Sequence, residues 1–141
     1  MANSLTVAYR NCMLGTGTAV DLDADTIKVM FVDGADDTPA AATDDFIDDI
    51  LSAGRVPAIA SCPTLASKTI GTVAAGVFDA ADATFTSLSG DQVEYLIAFK
   101  DTGTESTSNL LAIWDTATGL PLTPNGANVT VTWNASGIWS I

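Results

Sequence analysis

The chain has 141 residues, 48% of them hydrophobic, with seventeen acidic residues against five basic ones and a formal charge of −12. This length suits one domain with an enclosed core, since a chain of about 150 residues buries roughly 70% of its unfolded surface. The charge argues against binding nucleic acid or an anionic membrane, which both draw on clustered Lys and Arg; here Arg10, Lys28, Arg55, Lys68 and Lys100 are scattered.

The first predicted element is a helix from Ser4 to Leu14. Ser4 suits its cap, Leu5, Ala8, Tyr9 and Cys12 recur on one face, and Gly15 and Gly17 stop it. Thr6 and Val7 suit a strand equally well, so residues 1–20 are read as a helix or an anchoring segment within a single β-rich domain, 1–141. Asp25 to Asp33 is the clearest early strand. Ile27, Val29 and Phe31 share one face, and Met30 and Val32 make the other apolar too, which predicts burial on both sides. Gly34 to Ala42 is loop by composition.

Thr43 to Leu51 is predicted as a second helix, with Asp44 and Asp45 in its first turn, where carboxylates favour the helix dipole. Phe46, Ile47, Ile50 and Leu51 form its apolar stripe, Asp48 and Asp49 point away, and Gly54 ends it. Leu65 to Ile70, Val77 to Asp79 and Ala83 to Phe85 follow as brief edge strands joined by tight turns. Val93 to Lys100, Leu110 to Trp114 and Val129 to Trp133 are rich in β-branched and aromatic residues. Gly, Pro, Asn, Asp, Ser and Thr fill the joints between them, which predicts an antiparallel meander. Ile138 to Ile141 adds a last strand. The fold class expected is mainly β: an antiparallel β-sandwich or flattened barrel with one or two short helices.

Few residues invite chemistry. Asp101-Thr102-Gly103-Thr104 matches the aspartic-protease signature, and one copy in a short chain would need a dimer to pair two carboxylates. Lys100 stands where that family places an apolar residue, and Glu105-Ser106-Thr107-Ser108 is polar, so a solvated hairpin loop is the expected reading. Asp21, Asp23 and Asp25 alternate as in an EF-hand, but its sixth and twelfth positions hold Thr26 and Val32 rather than Gly and Glu. Asp33, Asp36 and Asp37, or Asp44 with Asp48, offer at most a loose cation site and otherwise read as loop solubility and helix capping. With no His in the chain, a Ser-His-Asp triad and a His-ligated zinc are excluded. Cys12 and Cys62 lie far apart; spacing leaves one disulfide open, and two buried thiols acting as small hydrophobes is the expected reading. Trp114, Trp133 and Trp139 fall in alternating strands, which favours core packing or a protein interface over a ligand platform. The sequence thus predicts no catalytic residue, no cofactor site and no metal site. Met1-Ala2-Asn3-Ser4 lacks the basic and apolar regions of a secretory signal, which predicts synthesis and retention in a cytoplasm.

Several segments together resemble a group of small virion proteins of tailed bacteriophages. They are Asp25-Thr26-Ile27-Lys28-Val29, Asp45-Phe46-Ile47-Asp48-Asp49-Ile50, Lys100-Asp101-Thr102-Gly103-Thr104 and Asp115-Thr116-Ala117-Thr118-Gly119-Leu120-Pro121. Thr123-Pro124-Asn125-Gly126 and Val129-Thr130-Val131-Thr132-Trp133 complete the likeness, which runs from Asp25 onward. The N-terminal part departs most, because members carry a longer, more charged first helix. The resemblance implies a non-enzymatic structural protein of the virion, assembled in the bacterial host cytoplasm. Size, β architecture and acidity then favour a head decoration (cement) protein on the outer capsid. Its partners would be the major capsid protein or other virion proteins, and it would form a homo-oligomer such as a trimer. A neck, tail or baseplate subunit is the alternative, and a dimeric aspartic protease the remote one.

Overall fold

The computed structural model describes residues 3–141. The fold is mainly β: among these residues there are ten strands and one α-helix. The strands are β1 (Ser4–Leu5), β2 (Ile27–Val32), β3 (Arg55–Val56), β4 (Thr69–Ile70), β5 (Val77–Asp79) and β6 (Ala83–Phe85). They continue as β7 (Tyr95–Lys100), β8 (Leu110–Trp114), β9 (Val129–Val131) and β10 (Trp139–Ser140), and the helix α1 is Val7–Met13. All pairings are antiparallel. A five-stranded sheet runs β1-β8-β7-β2-β3, with a three-stranded sheet β10-β5-β4 and a ribbon β6-β9 beside it. The sheets do not close into a barrel, so the arrangement is sandwich-like.

The large sheet is buried on both faces, as the double-sided apolar pattern of β2 predicts. Ile27, Val29 and Phe31 join Leu96, Ala98, Leu111, Phe78 and Phe85 in one core, facing the two smaller sheets. Met30 and Val32 join Ile97, Phe99, Leu110 and Ile113 in a second core, closed by Ile47, Ile50 and Cys62. Between Ala98 and Phe99 the β7–β8 register shifts, with Ala112 opposite Ala98 and Leu110 opposite Phe99. Leu111 is the extra residue of this bulge, and it joins Ala112 in the first core.

Three expectations are corrected. The first concerns the N-terminus. Ser4 and Leu5 pair with Ile113 and Ala112, and the helix starts only at Val7. Thr6 is the cap instead of Ser4. Its buried hydroxyl accepts from the Tyr9 N–H (3.1 Å) and donates to the Leu110 carbonyl (2.7 Å), tying helix start and sheet edge together. Both a strand and a helix are therefore realised, one after the other.

The second correction is larger: Thr43 to Leu51 contains no α-helix, only a 3-10 turn at Ile47–Asp49. The edge of β8 recruits this backbone. The Leu110 N–H donates to the Asp45 carbonyl and the Ile47 N–H to the Ser108 carbonyl, so residues 45–47 run extended beside 108–110. The acidic side chains also compete for amides that a helix would leave open. Asp49 accepts from the Asp45 and Phe46 N–H groups, and Asp44 from the Ala40 N–H. Ile47 and Ile50 still point into the core, whereas Leu51 is exposed.

The third concerns the meander. β7 and β8 form the expected hairpin, but β9 pairs with β6 rather than β8. The free side of β8 is already covered by β1 and by residues 45–47. The connector after β8 returns to the start of β7, where Val93 and Leu122 exchange backbone hydrogen bonds (2.8 and 2.9 Å), and then crosses to the second layer. Leu65 to Ile70 also shortens to Thr69–Ile70, since the Leu65 N–H is taken by the Ile27 carbonyl.

Candidate functional site

Most of the carboxylates singled out in the sequence have structural partners: Asp21, Asp25, Asp33, Asp37, Asp44 and Asp101 do, whereas the Asp23, Asp36 and Asp48 side chains have none among the described residues. Asp101 pairs with Lys28 at 2.7 Å and accepts from the Gly103 N–H, while Asp25 pairs with Lys100 at 2.9 Å. These two ion pairs brace the same end of β2 and β7, where Ile27 faces Lys100. Lys28 holds the Asp101 carboxyl below the usual carboxylate range, helped by the Gly103 N–H. For Asp25, burial raises the pKa, but the Lys100 hydrogen bond, a backbone N–H and the Lys100 and Lys68 charges outweigh it. The rest of the Asp101–Thr104 loop is closed by hydroxyls: Thr102 meets Thr107, and Ser108 donates to the Thr104 carbonyl. The Asp101 carboxylate is thus engaged within its own chain, by Lys28 and the Gly103 N–H.

Asp21 accepts from the Asp23 and Ala24 amides, and Asp25 from the Asp21 amide, so the alternating acids fold their own turn. Asp33 and Asp37 likewise accept from the Ala35 and Leu51 amides. Among the described residues, no three His, Cys, Asp or Glu side chains converge as a metal-binding group. Cys62 is buried and its thiol is pushed up to about 12 by burial, whereas Cys12 is only half-buried; both are free thiols. Among the described residues no helix is long and apolar enough to cross a membrane.

Acid should therefore weaken the fold in a defined window. Both folded carboxyl pKa values lie below their unfolded ones, so the stabilisation is complete above about pH 4 and is lost as pH falls through the folded values. Asp101→Asn is expected to cost no more than about 1 kcal/mol, because the pair is still partly wetted, and to flatten the acid limb of a stability–pH curve. Urea unfolding at a series of pH values checks both. An unchanged acid limb in the variant would contradict the pairing.

Besides the exposed Met13, Leu14 and Leu51, two surface features stand out. The first is an apolar outcrop at one end of the β10-β5-β4 sheet. Ile70, Val73 and Ile141 are exposed by 54%, 44% and 75%. The β4–β5 hairpin and the C-terminus are joined there, since the Gly71 N–H reaches the Val77 carbonyl and the Ile141 N–H the Gly76 carbonyl. No charged residue lies between Thr69 and Phe78. The outer edge of β4 pairs with no strand among the described residues. Sequence reasoning read this stretch as turns between edge strands and missed the outcrop. An uncharged run in an acidic chain was the available signal.

The second feature is a cleft of about 730 Å³ between β9, the end of β8 and the loop that follows it, lined by Trp114, Trp133, Thr118, Thr132, Asn134 and neighbouring groups. The three tryptophans do converge. Trp139 packs on Phe78 and Tyr9 in the core, while Trp114 stands 6.0 Å from it and 5.8 Å from Trp133. Trp114 and Trp133 are half-buried. No protein-family model matches the chain, and no curated protein matches it.

Proposed function

We propose that this protein is a structural component of a tailed-bacteriophage virion, a head decoration protein that binds the outer capsid surface and stabilises it. The apolar outcrop formed by Ile70, Val73 and Ile141 carries the reading. Exposed apolar surface beside an unpaired strand edge is what a subunit presents to a partner. The commitment of Lys28, Arg55, Lys68 and Lys100 to intramolecular partners adds support, because it leaves an acidic exterior poorly suited to nucleic acid. The segments that resemble phage virion proteins supply the setting. Attachment is repeated over many copies, so each contact can be weak while the layer stays bound.

Particles lacking the protein should release DNA at a lower temperature, and adding the purified protein should restore the wild-type value. Val73→Asp, an exposed substitution that spares the core, should abolish both attachment and restoration. Attachment of the unchanged protein should survive high salt, because the contact is chiefly apolar. Wild-type attachment by Val73→Asp would remove the outcrop from the interface. Equal DNA-release temperatures with and without the protein would overturn decoration and favour a neck, tail or baseplate position.

A further inference from the structure

We propose that the cleft beside Trp114 and Trp133 is a binding site for a neutral carbohydrate. The chain carries seventeen acidic and five basic residues, yet no ionisable side chain lines this cleft among the described residues. A phosphate or carboxylate would find no cation in this lining, and the adjoining carboxylates, Asp82 and Asp115, are engaged by the Trp133 amide and the Thr116 hydroxyl. The cleft therefore selects an uncharged ligand, and its volume of about 730 Å³ falls within the range of small-molecule sites.

The lining also says which uncharged ligand. Trp114 and Trp133 set their rings at 43° to one another, forming a shallow aromatic angle. The Trp133 ring is fixed from behind: its Nε1–H donates to the Ala81 carbonyl at 3.2 Å, and its backbone N–H to Asp82 at 3.0 Å. At the rim, the Thr118 and Thr132 hydroxyls have no intramolecular partner among the described residues. Asn134 uses its oxygen on the Ser136 N–H, leaving its amide donors for a ligand. A purely apolar ligand would leave these groups unused. A sugar matches this mixed chemistry, with a C–H face for an indole and hydroxyls that exchange hydrogen bonds with Thr and Asn groups. An added β-strand is the competing occupant, since β9 has an open edge along the cleft. Only Val129–Val131 is regular strand there, which offers few backbone groups for such an addition. The inference does not depend on the virion reading.

The test is a tryptophan-fluorescence titration of the full chain with maltohexaose, cellohexaose, xylohexaose and chitohexaose, and with a short alternating Val–Thr peptide. At least one sugar should shift the emission saturably, and the peptide should not. Trp133→Ala should abolish the shift. The milder pair Thr118→Val with Thr132→Val, both exposed, should keep the melting temperature and weaken binding about tenfold. Absence of saturation with all four sugars, full binding by the Thr double variant, or saturation by the peptide alone would each overturn the assignment.

Discussion

Ile50→Asp is expected to unfold a large part of the population at ordinary temperature. Ile50 is fully buried among Met30, Val32, Ile47, Phe99 and Ile113. The substitution removes that apolar burial and places a carboxylate within an apolar cluster. The cation bonded to this backbone is Arg55, but its guanidinium is already spread over the Ile47 and Ile50 carbonyls and Glu105, at 2.8 to 2.9 Å. A buried unpaired charge together with a lost Ile side chain costs about 4 kcal/mol or more, a large share of a typical net stability. The melting temperature should fall by more than about 10 °C. Asp48→Ala, two residues away and exposed, should stay within about 0.5 kcal/mol of the parent. Equal damage from both would mean that the turn at Ile47–Asp49 faces the other way.

Gly137→Ala is the second large effect, and its contrast with Gly126→Ala separates two physical causes. Both glycines have positive φ, +99° and +84°. That conformation alone costs an L-residue about 1 kcal/mol. A Cβ at Gly126 would meet nothing within 4 Å, whereas one at Gly137 would lie 2.2 Å from the Val77 side chain and 3.1 Å from the Phe78 carbonyl oxygen. Gly137 sits where the chain turns into β10, and the next amide, Ile138 N–H, bonds the same Phe78 carbonyl at 2.8 Å. The alanine must therefore drive Val77 from its rotamer or move the 137 turn off β5. Urea midpoints should show a loss of about 1 kcal/mol for Gly126→Ala and about 3 kcal/mol for Gly137→Ala. Equal losses would contradict the close packing of the 137 turn on β5.

The sequence was most legible where burial is simple. β2, β7 and β8 lie in the middle of the large sheet, and their near-continuous apolar runs state it. Val77–Asp79 and Ala83–Phe85 were bounded by turn residues and match to the residue, but Val77–Asp79 is the central strand between β10 and β4 rather than the edge strand expected. Thr43 to Leu51 was misread because Phe46, Ile47, Ile50 and Leu51 have helical spacing, while the deciding interaction is remote: the open edge of β8 at Ser108 and Leu110. The partner of β9 was hidden for the same reason. Strand pairing across the chain leaves no local mark, and the adjacency of β8 and β9 in sequence suggested a meander.

The candidate surfaces were less legible than the fold. Trp114, Trp133 and Trp139 were recognisable individually, but their convergence depends on β8, β10 and the end of β9 meeting in space. Val73 and Ile70 sit in a stretch of Ala, Thr and Gly with no amphipathic period, so nothing local marked them as an outcrop. Asp101 was legible only in part. Its motif matched a protease signature while its neighbours favoured a hairpin loop, and neither announced the pairing with Lys28, which depends on β2 lying beside β7.

Counting copies of this protein against the major capsid protein in purified virions, by quantitative mass spectrometry, tests the central claim most directly. Decoration of a symmetric shell predicts a fixed ratio to the capsid protein, one per subunit or one per local symmetry axis, and so many copies per particle. A few tens of copies or fewer, in the multiple of a ring and located in the tail, would contradict head decoration.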